Sequence, residues 1–306
     1  MRVGIFYNSI SNPVKFSNKN NLMDNFKDGV LINNDHILEY RERNSPIDGG
    51  LDAGFILGYT LENNFRKHII TNLENNDIFR IYVDSNILNY ANPAHEWHRY
   101  SLNSVYPSDG IYFYGQELDK TKWDTFSKFH GVTAKPWRSN GNHILILCQR
   151  SNGWNLFGSN QERWLYKTIT KIKKHSDRPI VIRMHPGDRN RFSLINAMKE
   201  RYGSSITISE NPNIFQDLRN CWCSVGYNST PNVVSIIEGV PAIISDGVNS
   251  WASGMASTML NSIENPLMPD RNEWIHRVAN IHWSNQEIKS GKLWSNIKNY
   301  ISSVRR

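Results

Sequence analysis

Long apolar runs are missing from this 306-residue sequence. No window approaches the roughly 18 apolar residues of a membrane-spanning helix, which excludes a span of that kind. The opening Met1-Arg-Val-Gly-Ile-Phe-Tyr7 is too short for the core of a secretory leader and reads as a first buried strand. A soluble chain that stays in the cytoplasm where it is made is expected. Cysteine is scarce. Cys148, Cys221 and Cys223 lie in apolar runs without metal-ligand spacing, so reduced structural thiols are expected rather than a disulfide framework or a metal centre. No Asp-x-Asp triplet occurs, and neither an obligatory metal nor another cofactor is expected. Internal repeats and low-complexity tracts are absent too.

Acidic residues are in deficit, 28 against 35 Lys and Arg, for a net charge of +7. Such a surplus suits a polyanionic partner, and equally a well-solvated surface. Small clusters stand at Lys171-Ile-Lys173-Lys174 and at the final Arg305-Arg306. They read either as a phosphate-backbone footprint or as a solvated helix face and a tail.

What is present is a globular pattern, most legible in the second half. His143–Cys148 and Pro179–Met184 are apolar runs of strand length, followed by the shorter Ser205–Ile208, Trp222–Val225 and Pro241–Ser245. Helical stretches lie between them, at 161–174, 193–202, 214–220 and from Pro231 onward. Apolar strands alternating with helices indicate a parallel sheet covered on both faces. Ligands of such sheets bind at the carboxyl ends of the strands. The loops after Cys148, Met184, Val225 and Ser245 are therefore expected to line one crevice.

The first half shows strands at Met1–Tyr7, Ala53–Gly58 and Ile78–Val83, a helix near 62–74, and a polar, aromatic loop over 95–103. Lys135-Pro-Trp-Arg-Ser-Asn-Gly-Asn142 reads as a linker. Two α/β domains facing across a cleft follow, at 1–138 and 139–285. The stretch from Trp274 reads as helix, and 286–306 is placed to pack back across the junction.

Gly226-Tyr-Asn228-Ser229-Thr230-Pro231 carries the sharpest local signal. Ser229 or Thr230 suits an N-cap and Pro231 the first helical position. Free N–H groups and hydroxyls there can hold a phosphate, and the same spacing also suits an ordinary capped helix. Arg183-Met-His185-Pro186-Gly-Asp188 follows a buried strand, where Pro186 can fix an imidazole toward a phosphate or leaving group; a surface histidine is the alternative. Glu238 can accept from ribose hydroxyls or stand solvated. Asp84, directly after an apolar strand, is a candidate general base or a turn aspartate. Asp48 and Asp109, each before a glycine, compete with it. Arg150 sits in the first crevice loop.

These residues resemble a known group. His185-Pro186 followed by Ser229-Thr230 is similar to the paired motifs of capsule-polysaccharide and sialyl-type GT-B glycosyltransferases. The resemblance covers roughly 78–245. It implies that His185-Pro186 and Ser229-Thr230 bind the phosphates of a nucleotide sugar and that the acidic motif, here Asp84, carries the base. Arg150, Arg183, Asn228 and Glu238 are expected beside His185, Pro186, Ser229 and Thr230 in the nucleotide-sugar site, with Asp84 and His185 catalytic. Two positions depart from the pattern: the acidic motif reads Asp84-Ser-Asn, and Val233-Val234 replaces a Glu-Ala pair.

More narrowly, Arg99–Phe113, Lys135–Leu145 and Arg178–Arg183 look like proteins of T-even-type phages, whose relatives decorate 5-hydroxymethylpyrimidines in DNA. That likeness implies transfer of arabinose or glucose, from a UDP-sugar, to 5-hydroxymethylcytosine in duplex DNA in the host cytoplasm. The base would leave the stack at a cost of a few kcal/mol. Arg99, Tyr100 and Arg138 would contact the DNA. Two alternatives stand beside it: a surface polysaccharide as acceptor with a CMP- or UDP-sugar donor, and a non-catalytic DNA-binding protein on the same scaffold. Oligomeric state is left open.

Overall fold

The computed structural model describes residues 1–7, 17–42, 45–57, 64–88, 96–151, 156, 159–245 and 247–306. Its described residues form two compact units, one from 1–88, 96–123 and 276–306, the other from 124–275.

In chain order the first unit contributes β1 (Arg2–Phe6), α1 (Ser17–Ile32), β2 (His36–Tyr40), β3 (Ala53–Leu57), α2 (Asn64–Asn75), β4 (Phe79–Ser85) and β5 (Trp97–Leu102). α3 (Lys122–His130) spans the division between units. The second unit holds β6 (His143–Leu147), α4 (Gln161–Ile172), β7 (Ile180–Arg183), α5 (Arg191–Tyr202), β8 (Ile206–Ile208), α6 (Ile214–Asp217), β9 (Cys221–Gly226), α7 (Pro231–Ile237) and β10 (Ala242–Ile244). α8 (Asn272–Asn280) also spans the division, and β11 (His282–Ser284), α9 (Asn285–Lys289) and α10 (Lys292–Val304) return to the first unit.

The second sheet is parallel throughout, in the order β10-β9-β6-β7-β8. Ile144, Ile146, Ile180 and Ile182 are fully or almost fully buried, with Leu165 and Ile169 of α4 and Met198 of α5 packed against them. Right-handed crossovers put α4 and α5 on one face and α7 on the other, so both faces are covered and the strands need apolar residues at every position.

The first sheet runs β11-β5-β4-β3-β1-β2. Its β1, β2, β3 and β4 are parallel, while β5 is antiparallel to both β4 and β11. The loop expected over 95–103 is thus strand from Trp97; His95 lies outside the described residues. Trp-His-Arg-Tyr-Ser-Leu looks polar, yet all six residues are buried between neighbouring strands. Arg99 is met inside the unit, where its Nε donates to the Ser85 carbonyl at 2.8 Å, whereas the Tyr100 hydroxyl has no hydrogen-bond partner among the described residues. The C-terminal stretch is likewise not all helix. β11 extends the sheet, and His282 Nε2 accepts the Ile87 N–H at 3.0 Å just beyond β4. α10 buries Leu293, Trp294, Ile297 and Ile301 in the core shared with Phe26 and Val30 of α1.

The stretch read as a linker belongs to the second unit. Lys135 N–H donates to the Ile237 carbonyl and Arg138 N–H to that of Gly239, both at 2.8 Å. Gly239 has φ +79°, and a Cβ there would lie 2.1 Å from the Pro136 carbonyl oxygen. Proline and glycine mark a strap laid on the end of α7, and the units divide at 123/124 and 275/276 instead of 138/139 and 285/286. Among the described residues, no helix is long and apolar enough to cross a membrane.

Candidate functional site at the carboxyl edge of the second sheet

Strand β6 lies between β7 and β9, so the chain departs in opposite directions from the middle of the sheet. A switch point of this kind opens a crevice at the carboxyl ends of the strands. Three loops meet there. Gln149 Nε2 donates to Asn228 Oδ1 at 2.5 Å, and Ser151 Oγ donates to Asp188 Oδ2 at 2.7 Å. A Cβ on Gly187 would stand 2.7 Å from an Arg150 terminal nitrogen, so the guanidinium lies directly on that glycine. A cavity of about 150 Å³ is lined by Cys148, Met184, His185, Pro186, Ile214 and Pro231. The loops after β6 and β7 and the start of α7 share it, as expected. The loop after β10 contributes no lining residue among those described: Ser245 Oγ instead accepts the Trp164 indole at 3.0 Å.

His185 is oriented by its own turn. The Gly187 N–H donates to Nδ1 at 3.0 Å, so Nδ1 is the bare nitrogen and Nε2 carries the proton in the neutral ring. Burial and then the Arg150 guanidinium hold its pKa below the usual histidine value, against an opposing pull from Asp188. A neutral ring with a free Nε2–H is a hydrogen-bond donor beside a cation. Arg150 is exposed and, among the described residues, has no ion-pair partner. Such a pair can neutralise and hydrogen-bond phosphate oxygens.

Arg183 is turned to a different task. It donates to the Asn211 carbonyl at 2.8 Å and to Asp217 Oδ2 at 2.5 Å. Asp217 is buried and also accepts from Ser209 Oγ and Asn211 Nδ2, each at 2.6 Å. Arg183 thereby holds the 211–214 wall of the cavity, and its guanidinium is occupied with protein carbonyls and a carboxylate.

Ser229 is buried and Thr230 half-buried. Thr230 already has helical angles, φ −54° and ψ −37°, and its hydroxyl caps nothing, so of the two residues expected as N-cap Thr230 does not serve. Pro231 does occupy the first turn. Glu238 falls at the opposite end of α7, about 10 Å along the axis from Pro231 at 1.5 Å per residue. It is buried and ion-paired with Lys135, which removes it from the ribose role assigned by sequence. Arg138 is also withdrawn from DNA: its guanidinium donates to the carbonyls of Leu218 and Arg219 beyond α6.

Within the first unit the three candidate acids separate by edge. Asp84 is at the carboxyl end of β4, two-fifths exposed, accepting from Arg99 and, at 2.8 Å, from the Ser85 N–H. Asp48 pairs with Arg2, at the amino end of β1. Asp109 is in a turn that follows Asn103, whose N–H bonds the Arg80 carbonyl at the amino end of β4. Only Asp84 occupies the edge where ligands of parallel sheets bind. Arg99 and Tyr100 are both buried within the first unit and do not present their side chains to solvent, against the DNA contact expected of them. The Arg99 side chain is 7% exposed and committed to Asp84 at 2.5 Å. Tyr100 is fully buried, stacked with Phe26 and Phe55.

Gln149 and Ser151 escaped the sequence reading. Gln149 is buried, and its Oε1 has no partner among the described residues. A glutamine directly after an apolar strand of a parallel sheet is the available signal. Among the described residues, no group of three His, Cys, Asp or Glu side chains is placed to hold a metal ion.

No protein-family model and no curated protein matches this chain. Solved structures do. It is similar to a β Kdo 2,4 transferase of Thermosulfurimonas dismutans KpsC, with 12% identity, 98% of each chain covered and a TM-score of 0.60. It is also similar to the β Kdo 2,7 transferase of the same KpsC, with 11% identity over 96% of this chain and 100% of that one, and a TM-score of 0.53. At these identities the likeness establishes the fold: α/β of the GT-B type, each unit built on a largely parallel sheet.

Proposed function

We propose that the protein is a glycosyltransferase that moves arabinose or glucose from a nucleotide sugar, UDP-linked, to 5-hydroxymethylcytosine in duplex DNA. One observation carries the transferase reading: His185-Pro186 and the start of α7 line a single cavity at the switch point of the second sheet, with Arg150 against the same turn. In this reading Arg150 and the Nε2–H of His185 bind the donor's phosphate oxygens. As the bond from the anomeric carbon to phosphate oxygen breaks, they stabilise the charge left on the nucleotide. Asp84 takes the proton of the acceptor hydroxyl, whose oxygen forms the new glycosidic bond. The DNA acceptor is supported by the sequence resemblance and the net charge of +7.

A second reading has its own support. Both structures named above are Kdo transferases, which favours a surface-polysaccharide acceptor and a CMP- or UDP-sugar. The deciding experiment offers hydroxymethylated duplex and oligosaccharide acceptors a panel of nucleotide sugars, followed by mass analysis of nucleosides and saccharides. A nucleoside heavier by one pentose or hexose is expected. Transfer to saccharide alone would establish the second reading, and transfer to neither would end both.

A further inference from the structure

We propose that the outer face of α4, with the adjoining end of α5, is a tract for the phosphate backbone of duplex DNA. It rests on the reading of DNA as acceptor and names where the duplex is gripped away from the donor cavity.

Arg163, Lys167 and Lys171 recur every four residues on α4, and Lys174 follows three further on. At about 100° and 1.5 Å per residue the three on α4 share an arc of roughly 80°, in steps of about 6 Å, and Lys174 lies in the turn just past the helix. All four are exposed. Glu162 is the only acid between Gln161 and Lys174. It lies about 100° from Arg163 around the helix. Its carboxylate is taken by the Tyr166 hydroxyl at 2.8 Å. Two more cations lie to one side of this stripe against rings: Arg201 of α5 over Tyr166 at 4.4 Å, and Lys173, about 80° from Arg163 on the side of Glu162, over Tyr202 at 5.2 Å and donating to Ser205 Oγ at 2.7 Å.

Three other cations of the unit meet carboxylates, in Arg178–Glu264, Arg183–Asp217 and Lys135–Glu238. Among the described residues, none of Arg163, Lys167, Lys171, Lys173, Lys174 and Arg201 has an ion-pair partner. Exposed cations stepped along one stripe, with two more beside it, raise the local potential toward a polyanion. An extended backbone fits a stripe of evenly stepped cations better than a small anion, which needs a pocket. A membrane surface would ask for an apolar stripe beside the cations. On these two helices the only exposed large apolar side chain among the described residues is Phe192, at the start of α5 and under Arg191.

The test is the triple variant Arg163→Gln, Lys167→Gln, Lys171→Gln, in which glutamine preserves helix propensity. Binding to a short unmodified duplex is followed by fluorescence anisotropy between about 50 and 200 mM salt. Each lost phosphate contact should make the log–log salt slope shallower by about 0.9, so a decrease of roughly 2–3 is expected. Transfer to free 5-hydroxymethyldeoxycytidine should be unchanged. Should the triple variant not fold, Lys171→Gln with Lys174→Gln at the helix end should reduce the slope by about 2. Unaltered slope and affinity would overturn the tract while leaving DNA as acceptor. No duplex binding by the unmodified protein would overturn both. Affinity for phosphatidylserine vesicles without affinity for duplex would reassign the face to a membrane and overturn the proposal.

Discussion

The backbone N–H of Gly187 donates to Nδ1 of His185 at 3.0 Å, which leaves Nε2–H as the ring's outward donor. Nitrogen NMR of the imidazole at neutral pH should show the proton on Nε2; a proton on Nδ1 would contradict the turn geometry. His185→Ala should lower turnover by about 10²–10³-fold, the usual cost of one donor to developing charge. His185→Gln, which keeps an N–H, should recover part of it.

Arg150 and Gly187 are a second pair. A Cβ at Gly187 would reach 2.7 Å from the Arg150 guanidinium, the movable end of a long side chain. Gly187→Ala should therefore leave the thermal midpoint nearly unchanged and raise KM for the donor. Arg150→Gln should do the same and also raise the His185 pKa, because the guanidinium is one of the two causes holding it down. Proton titration of the His185 ring by NMR reads that shift. A pKa that stays put or falls would show that burial alone sets it.

Asp84 is the only one of three candidate acids at the carboxyl edge of the first sheet. Asp84→Asn should reduce kcat by about 10²–10⁴-fold, the range for a lost general base. Asparagine still accepts from Arg99, so the thermal midpoint should hold. Asp48→Asn and Asp109→Asn should retain turnover. Loss of activity in either of those, with Asp84→Asn active, would reassign the base.

The second unit was far more legible than the first, for a physical reason. Parallel strands covered on both faces need apolar residues at every position, so 143–148 and 179–184 stand out. β5 is equally buried but meets Arg99 with the Ser85 carbonyl and the Asp84 carboxylate of β4, and its polar letters read as loop. β11 has three residues and takes its identity from β5, far away in sequence. The pairing of His185-Pro186 with the start of α7 could be read because each motif is local. The fates of Arg138, Arg183 and Glu238 could not. Each is decided by a carbonyl or charge more than 25 positions distant, such as Asn211 for Arg183.

Gly239 tests the strap that replaced the expected linker. Its left-handed φ of +79° and the Pro136 carbonyl 2.1 Å from a would-be Cβ both oppose a side chain. Gly239→Ala should destabilise by roughly 2–4 kcal/mol, combining the left-handed penalty with overpacking. Urea unfolding measures it, and a loss below about 0.5 kcal/mol, typical of neutral surface changes, would show that the strap yields freely.

His130 makes acid stability a sharper test of the packing. Its ring is buried, edge-on to Phe126 at 4.7 Å and Phe129 at 5.0 Å between centroids. Neither nitrogen has a partner among the described residues, and burial lowers its pKa from 6.5 to about 4. The unfolded chain therefore binds this proton more readily than the folded one throughout the interval between those values. Stability is complete above pH 6.5 and falls as pH drops toward 4, by roughly 3 kcal/mol in all. His143 and His185 also have lowered pKa values, so the comparison must be with His130→Leu, which removes one titrating site and keeps the others. Unfolding free energies measured across this interval should fall less steeply in the variant. Parallel curves would mean that the imidazole finds water or a partner when protonated, and that the pocket around it is not closed.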